Sequence, residues 1–520
     1  MEKIYILGNE QSNIWCSSLG TLLAIPTLSL NDYAAVHDFV VNNVAAMETN
    51  ARITIDLDAT DPALALMIAM HIRLSRTYID DKALLPILLV SSLPMVTFLS
   101  LGECSQFFLA QKGYAFCTPD QAASAVYEVT KLTVDNYKTY FLDRIQIRPD
   151  DTTGRHSLAN QWGADVLARV TGINYEPNEK IIKARKSLYF KYIISNTSPS
   201  ISLTNLPHDT VQDVISCKGK KILFIDDEAD KGWEDCLRAI FADCGNDDFN
   251  VVNTRIADYK DLPFNIRENI KSSYYDLYII DLRLLGDDEE RTIITEQFSG
   301  FKLLEQIKKD NRGNQVVFMT ASNKAWNLKN LIEKGANGYY IKESPELMLP
   351  IDFSKENFTS FKNDVENAFN NKFKRELYQK LDQLQKQIKK SRKFRERGIT
   401  DELIEKLWKA FMPYMIKIQS KSKNDYASSY LILYGVLEFL KNEYQKDIDK
   451  KGNDSMTNII NEIYKQLGNG EELWQEIEVV VTERNDYIHP KEGRTPQIIF
   501  EPEGILKLFN VVNKVISSLL

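Results

Sequence analysis

Lys221-Ile222-Leu223-Phe224-Ile225-Asp226-Asp227 is the stretch on which the reading of this chain turns. Four consecutive apolar residues bounded by polar ones have the pattern of a parallel strand buried on both faces. Three later runs end the same way: Tyr278-Ile279-Ile280 on Asp281, Val316-Val317-Phe318-Met319 on Thr320, and Tyr339-Tyr340-Ile341 on Lys342. With helical patterns between them, these runs predict a doubly wound α/β domain with a parallel five-stranded sheet. In such sheets ligands bind in the crevice beyond the carboxyl ends of the strands. Three carboxylates, a hydroxyl and an ammonium gathered there suit a divalent cation and a phosphoryl group.

The order and spacing of these residues resemble the receiver domain of bacterial response regulators, across residues 216–355. The resemblance implies that Asp281 is a phosphoacceptor. It also implies that Asp226, Asp227 and Asp281, with the backbone carbonyl of Arg283, hold Mg²⁺, a hard cation that takes oxygen ligands. Lys342 would present a compact positive charge to the phosphoryl oxygens. Thr320 would donate a hydroxyl hydrogen bond to the same group, and Tyr339 would be the switch aromatic. Phosphorylation would draw Thr320 inward, free space for Tyr339 and reshape the last strand-helix face. The implied partner is a cognate histidine kinase.

Three features depart from that family. The segment from Asp281 to Gly300-Phe301 exceeds the usual loop by about ten residues, against connections of roughly two to six in α/β units. It carries Asp287, Asp288, Glu289, Glu290 and Arg291, a set that either tunes the site or forms a solvated acidic loop. Glu343 replaces the proline that usually follows the lysine, so a cis bond is not expected there. Neither a helix-turn-helix nor a wing follows, so transcriptional output has no support.

A length of 520 residues is too great for one core and predicts several domains. Residues 1–120 repeat the strand-helix alternation through Ile4-Tyr5-Ile6-Leu7, Ile53-Thr54-Ile55, Ile87-Leu88-Leu89-Val90 and Tyr114-Ala115-Phe116. The chemistry there is eroded. Asn9-Glu10 replaces the acidic pair, Asp56 or Asp58 stands at the acceptor position, Ser91-Ser92 at the hydroxyl, and Cys117-Thr118-Pro119 brings no lysine. A degenerate receiver-like unit for docking or dimerisation is the reading. Residues 121–215 form a mainly helical connector. In it, His156 is either a phosphorelay histidine or an exposed or capping one.

Hydrophobic and charged contents of 44% and 26% are those of an ordinary soluble protein. A net charge of −8 gives no global push towards nucleic acid. The cysteines Cys16, Cys104, Cys117, Cys217, Cys236 and Cys244 are scattered without a paired motif. That pattern argues against a zinc site or a disulfide framework and fits a reducing cytosol. No signal-peptide pattern opens the chain, and its longest apolar stretch is broken by Pro86 and Pro94. A cytoplasmic protein with no membrane partner is expected.

Residues 356–398 read as a linker, with one long helix over 361–395. Its seam is Val365, Phe369, Phe373, Leu377, Leu381, Leu384 and Ile388. The end is basic, with Lys386, Lys389, Lys390, Arg392, Lys393, Arg395 and Arg397, either a solvated face or a guide for an RNA backbone. Residues 399–520 read as an all-helical bundle, with helices over 403–418, 426–444, 456–467, 473–487 and 504–519.

The penultimate helix ends in Glu483-Arg484-Asn485-Asp486-Tyr487-Ile488-His489-Pro490. Arg484 and His489 lie near one helical turn apart, and Pro490 stops the helix. The motif resembles the arginine-histidine motif of HEPN domains, helical modules that often act as metal-independent ribonucleases. The resemblance implies an RNA substrate cleaved by its own 2′-hydroxyl. His489 would move the proton, Arg484 would hold the phosphate in a fork and Asn485 would orient the motif. It also implies a homodimer in which two motifs meet. A signalling adaptor with an inactive HEPN bundle, or a phosphate sink, are the alternatives.

Overall fold

The computed structural model describes residues 2–12, 15, 18–30, 32–148, 155–173, 183, 185–197, 213–285, 295–321, 325–344, 347, 349–416, 423–445, 471–488 and 502–520. The backbone divides into two compact units. The first comprises Met1–Ser216, Glu228–Ala242 and Lys342–Phe358; the second comprises Cys217–Asp227, Asp243–Ile341 and Thr359–Leu520.

The first unit contains strands β1 (Ile4–Gly8), β2 (Thr21–Ala24), β3 (Arg52–Asp56), β4 (Ile87–Val90) and β5 (Tyr114–Cys117). They pair in the order β2-β1-β3-β4-β5, all parallel. β4 is buried at every residue, as expected for a central strand covered on both faces. The helix Pro62–Leu74 starts where the Asp61 carboxylate accepts from Ala63 N and proline takes the first position. Ten of its residues are buried, so its apolar character runs all round. Among them is Arg73, whose guanidinium donates to the carbonyls of Ala83, Leu85 and Gly113 at 2.5, 2.8 and 2.6 Å. Three carbonyl acceptors make that burial tolerable.

The connector is helical over Ala122–Glu128, Val134–Tyr140, Arg155–Thr171 and Leu188–Thr197. The helix Trp233–Ile240 belongs to the same unit. Trp233 Nε1 donates to Asn160 Oδ1 at 2.6 Å, and Cys236 Sγ lies 3.6 Å from the Ala164 carbonyl. Gly163 permits this approach, since a Cβ there would stand 2.8 Å from the Trp233 ring. The side chain of His156 lies outside the described residues.

The second unit holds β6 (Ile222–Ile225), β7 (Phe249–Val252), β8 (Leu277–Asp281), β9 (Val316–Thr320) and β10 (Gly338–Ile341). Their order is β10-β9-β8-β6-β7, again all parallel. Counted within each sheet, both orders are 2-1-3-4-5, the flavodoxin-like doubly wound arrangement. The expected fold class is therefore the observed one. β2 and β7, partly exposed at the sheet edges, are the strands that the sequence reading does not pick out.

β10 is the other edge of its sheet. Phe361 of the helix Ile351–Asn370 packs edge-on against Tyr340 at 5.5 Å. The Asp364 carboxylate accepts a backbone hydrogen bond from Tyr339 and sits where a Gly338 side chain would be, 1.9 Å from that Cβ. A strand edge is thus covered by a helix instead of being left to pair.

The single helix expected over 361–395 is instead three: Ile351–Asn370, Phe373–Lys390 and Arg392–Glu396. The first break has a tertiary cause. Arg375 donates to the Tyr275 carbonyl at 2.5 Å and pairs with Asp276 at 3.1 Å. Asn311 Nδ2 reaches the Arg375 carbonyl at 3.0 Å, and the Lys374–Arg375 backbone lies where a Cβ on Gly313 would be, 2.4 Å away. Docking on the loops that precede β8 and β9 bends a chain whose seam would otherwise continue. At the second break Ser391 caps the following helix through Phe394 N.

Beyond it lie Thr400–Ile416, Lys423–Gln445, Glu471–Ile488 and Pro502–Leu519, against four of the five expected helices. Residues 456–467 lie outside the described residues. Leu377, Leu381, Leu384 and Ile388 share one apolar core with Leu403, Leu437, Val480 and Val512, so the helix Phe373–Lys390 is part of this bundle. Among the described residues the cysteines are free, and no helix is long and apolar enough to cross a membrane.

Candidate functional site

At the carboxyl end of the second sheet, β6 delivers Asp226 and Asp227 and its neighbour β8 delivers Asp281. Strand register explains the convergence: Ile225 pairs with Ile280, so the acids that follow emerge side by side at the point where strand order reverses. Each offers a carboxylate oxygen, and these oxygens lie within 4.8 Å of one another. Asp226 is fully buried, and Asp227 and Asp281 are half-buried. Three like charges so placed repel strongly in a partly desolvated setting. All the donors are hard oxygens, which is the chemistry Mg²⁺ accepts, so the residues fit that cation. It would be held by Asp226, Asp227 and Asp281 and would offset their charge.

The stretch after Asp281 is pinned as a neck. Arg283 N donates to Asp281 Oδ1 at 3.4 Å, Leu284 N to Ser299 Oγ at 2.9 Å, and Gly300 N to the Leu282 carbonyl at 3.1 Å. Gly300 is obligatory here: a Cβ would stand 2.1 Å from the Asp281 carbonyl and 2.8 Å from Leu282 Cα. The acidic insertion leaves and returns through this neck, and its residues 287–291 lie outside the described residues. Ser299 and Arg255, whose Nε is 3.9 Å from Asp227 Oδ2, are neighbours that strand-end patterns do not reveal.

Thr320 ends β9 and is buried; its predecessor Met319 pairs with Asp281, so the hydroxyl-bearing residue follows directly on Asp281's neighbour. Tyr339 lies on β10, paired with Phe318 and partly buried against the sheet's core. The Arg283 guanidinium stacks over the Phe298 ring at 5.2 Å. Lys342, directly after β10, is buried and counted with the first unit, its ammonium 5.6 Å from the Trp233 ring centroid. Among the described residues no peptide bond is cis, the lysine-glutamate bond included.

Register also resolves the N-terminal sheet. Asp56 pairs with Val90 as Asp281 pairs with Met319, so Asp56 is the counterpart of Asp281 and Ser91 that of Thr320. The positions of Asp226 and Asp227 fall on Gly8 and Asn9, one residue before the expected Asn9-Glu10, because β1 extends through Gly8. Pro119 takes the lysine's place. Ser12 fills the room over Gly8 and donates to Asp56 Oδ2 at 2.6 Å. Burial pushes the Asp56 carboxyl up, against the Ser12 hydrogen bond. Asp58 accepts from Ser91 Oγ, Ser92 N and Ser92 Oγ at 2.5, 2.6 and 2.7 Å. Burial raises its pKa, but these bonds together hold it below the usual carboxylate range.

In the helical bundle, Arg484 lies on Glu471–Ile488. Its Nη1 donates to Asn485 Oδ1 at 3.1 Å and its Nη2 to Glu438 Oε1 at 3.4 Å, and the guanidinium sits over the Tyr434 ring at 5.1 Å. Burial pushes the Tyr434 hydroxyl up to about 12, against the charge of Arg484. Arginine and asparagine are thus together, whereas His489 lies outside the described residues. Tyr434 and Glu438, one turn apart on the helix Lys423–Gln445, are partners that the motif alone did not suggest.

No protein-family model matches the chain, and no curated protein matches it either.

Proposed function

We propose that this protein is a phosphorylation-controlled effector: a receiver-type domain with Asp281 as phosphoacceptor, governing a HEPN-type ribonuclease in the C-terminal bundle. The observation that carries the reading is the meeting of Asp226, Asp227 and Asp281 at the switch point of a 2-1-3-4-5 parallel sheet. Phosphoryl transfer to a carboxylate asks chiefly for an acceptor in line and for the developing charge to be offset. Asp281 supplies the acceptor oxygen, and bound Mg²⁺ would supply the charge. The buried Thr320 would donate to the phosphoryl group. In the bundle, Arg484 would bind the scissile phosphate and His489 would exchange the proton of the RNA's 2′-hydroxyl. A histidine kinase would be the phosphoryl source, and a homodimer the setting for the paired motifs.

The test has two arms. The full chain is incubated with Mg²⁺ and a small acyl phosphate, and intact mass is measured. One phosphoryl group is expected, lost in Asp281→Ala and on chelation; equal labelling of Asp281→Ala sinks the receiver reading. RNA is then incubated with chain in both states, and Arg484→Ala and His489→Ala should each abolish products ending in a cyclic phosphate. A second reading, a docking bundle without nuclease activity, is favoured by the engagement of Arg484 with Glu438. Absence of cleavage by any form would favour it, and undiminished cleavage by His489→Ala would sink the assignment of nuclease activity to this motif.

A further inference from the structure

The basic run that closes the helix Phe373–Lys390 and continues into Arg392–Glu396 has no part in the functions above. Residues 383–398 carry seven cations, Lys386, Lys389, Lys390, Arg392, Lys393, Arg395 and Arg397, against the single acid Glu396, in a chain of net charge −8. All seven are exposed. Two are neutralised locally, Lys386 by Asp382 and Arg392 by Glu396, each at 2.6 Å. Arg395 bends back to the carbonyls of Ser391 and Lys390 at 3.3 and 3.4 Å. Lys389, Lys390 and Lys393 have no carboxylate partner among the described residues.

Helix dipoles do not account for this set. They favour cations in the last turn of a helix, which covers Lys389 and Lys390. Arg392 and Lys393, however, open the next helix, where the dipole disfavours positive charge. Nor is the face a loose appendage. Leu384, Ile388 and Phe394, on the opposite side, are buried in the bundle core with Ile477 and Val480 of the helix that carries Arg484. Arg397 donates to the Glu443 carbonyl at 3.4 Å and stacks over Tyr444 at 4.1 Å. Glu443 is five residues beyond Glu438, the partner of Arg484, a rise of about 8 Å along one helix.

We infer that the exposed face formed by Lys389, Lys390 and Lys393 binds the phosphate backbone of single-stranded RNA. The face holds the strand in register with the bundle. Its contacts are ionic and do not depend on sequence. The choice of RNA among polyanions rests on the ribonuclease reading; the binding itself does not require cleavage.

The probe is a fluorescent oligouridylate titrated into full-length chain carrying His489→Ala, at several salt concentrations. Log affinity should fall linearly with log salt, each phosphate contact adding about 0.7 to the slope for a single strand. Lys389→Ala, Lys390→Ala and Lys393→Ala combined should weaken binding at least tenfold and reduce the slope by about 2. The same substitutions in the wild-type chain should raise KM for RNA more than they lower kcat. An unchanged affinity and slope in the triple variant overturns the proposal. So does equal binding of a polyglutamate of matching charge, which would mark the face as a site for acidic protein. Because binding and cleavage are read separately, loss of the nuclease assignment would leave this result legible.

Discussion

Gly300 and Lys374 show how single residues set the terms for this fold. A methyl group on Gly300 would meet the Asp281 carbonyl and the Leu282 backbone, which have no flexible end to yield. Gly300→Ala is therefore expected to cost about 1–3 kcal/mol, the usual range for overpacking. On the proposed function it should also slow labelling by acyl phosphate more than tenfold by shifting Asp281; an unfolding titration and a labelling time course check both. Lys374 is buried, and burial holds its amine down at about 8. Lys308, whose ammonium is taken up by the Asn314 carbonyl, is held at about 7 by burial and by the charge of Lys374. Both folded values lie below that of an unfolded lysine, so the unfolded chain binds more protons from about pH 7 to 10. Stability should rise with pH across that window, and Lys374→Met should flatten the rise. A thermal-unfolding series from pH 6 to 10 tests this, and a profile unaffected by the substitution would contradict it.

At the scale of elements, the helix Ile351–Asn370 seals β10 with a carboxylate. Burial pushes Asp364 up to about 6, against the Tyr339 backbone hydrogen bond. Its folded value exceeds the unfolded one, so the native state binds the extra proton between about pH 4 and 6 and stability falls as pH rises through that range. Asp364→Asn keeps an acceptor for Tyr339 and removes the charge. It should raise Tm at pH 7.5 and abolish that part of the slope. These features also show what the sequence conveyed. β6, β8 and β9 were legible because strands buried on both faces read as apolar runs, β10 because Tyr339-Tyr340-Ile341 is apolar even at the sheet edge, and their polar end residues followed from the same runs. β7 escaped because Asn250 interrupts its apolar residues, and β2 because its short run Leu22-Leu23-Ala24-Ile25 closes on Pro26. The break at residues 371–372 escaped because Val365, Phe369, Phe373 and Leu377 keep helical spacing across it; its cause, the grip of Asn311 and Arg375, is tertiary. Whether Asp56 or Asp58 matched Asp281 needed strand register, which a single run does not contain.

Across the second unit, one charge pair joins the sheet to the helical bundle. Arg375 sits at the start of the helix Phe373–Lys390 and holds Asp276 and the Tyr275 carbonyl, just before β8. Asp276 also accepts from Lys221 N, just before β6. The strands that end in Asp226, Asp227 and Asp281 are thus gripped at their beginnings by the helix that contributes Leu377 and Leu381 to the bundle core. Both partners are largely buried, so removing one strands the other in a desolvated setting, a loss of about 3–5 kcal/mol. If the carboxylate end of the sheet and the bundle communicate, this clamp is a direct contact through which strand movement can pass. Arg375→Gln should leave acyl-phosphate labelling of Asp281 within twofold of wild type, since the site is at the opposite strand ends. It should at the same time remove the difference in RNA cleavage between labelled and unlabelled chain. Double substitution with Asp276→Asn separates coupling from stability: it relieves the stranded carboxylate and should restore Tm without restoring control. Control that survives in both variants would place the route elsewhere, at the face formed by Tyr340 and Phe361.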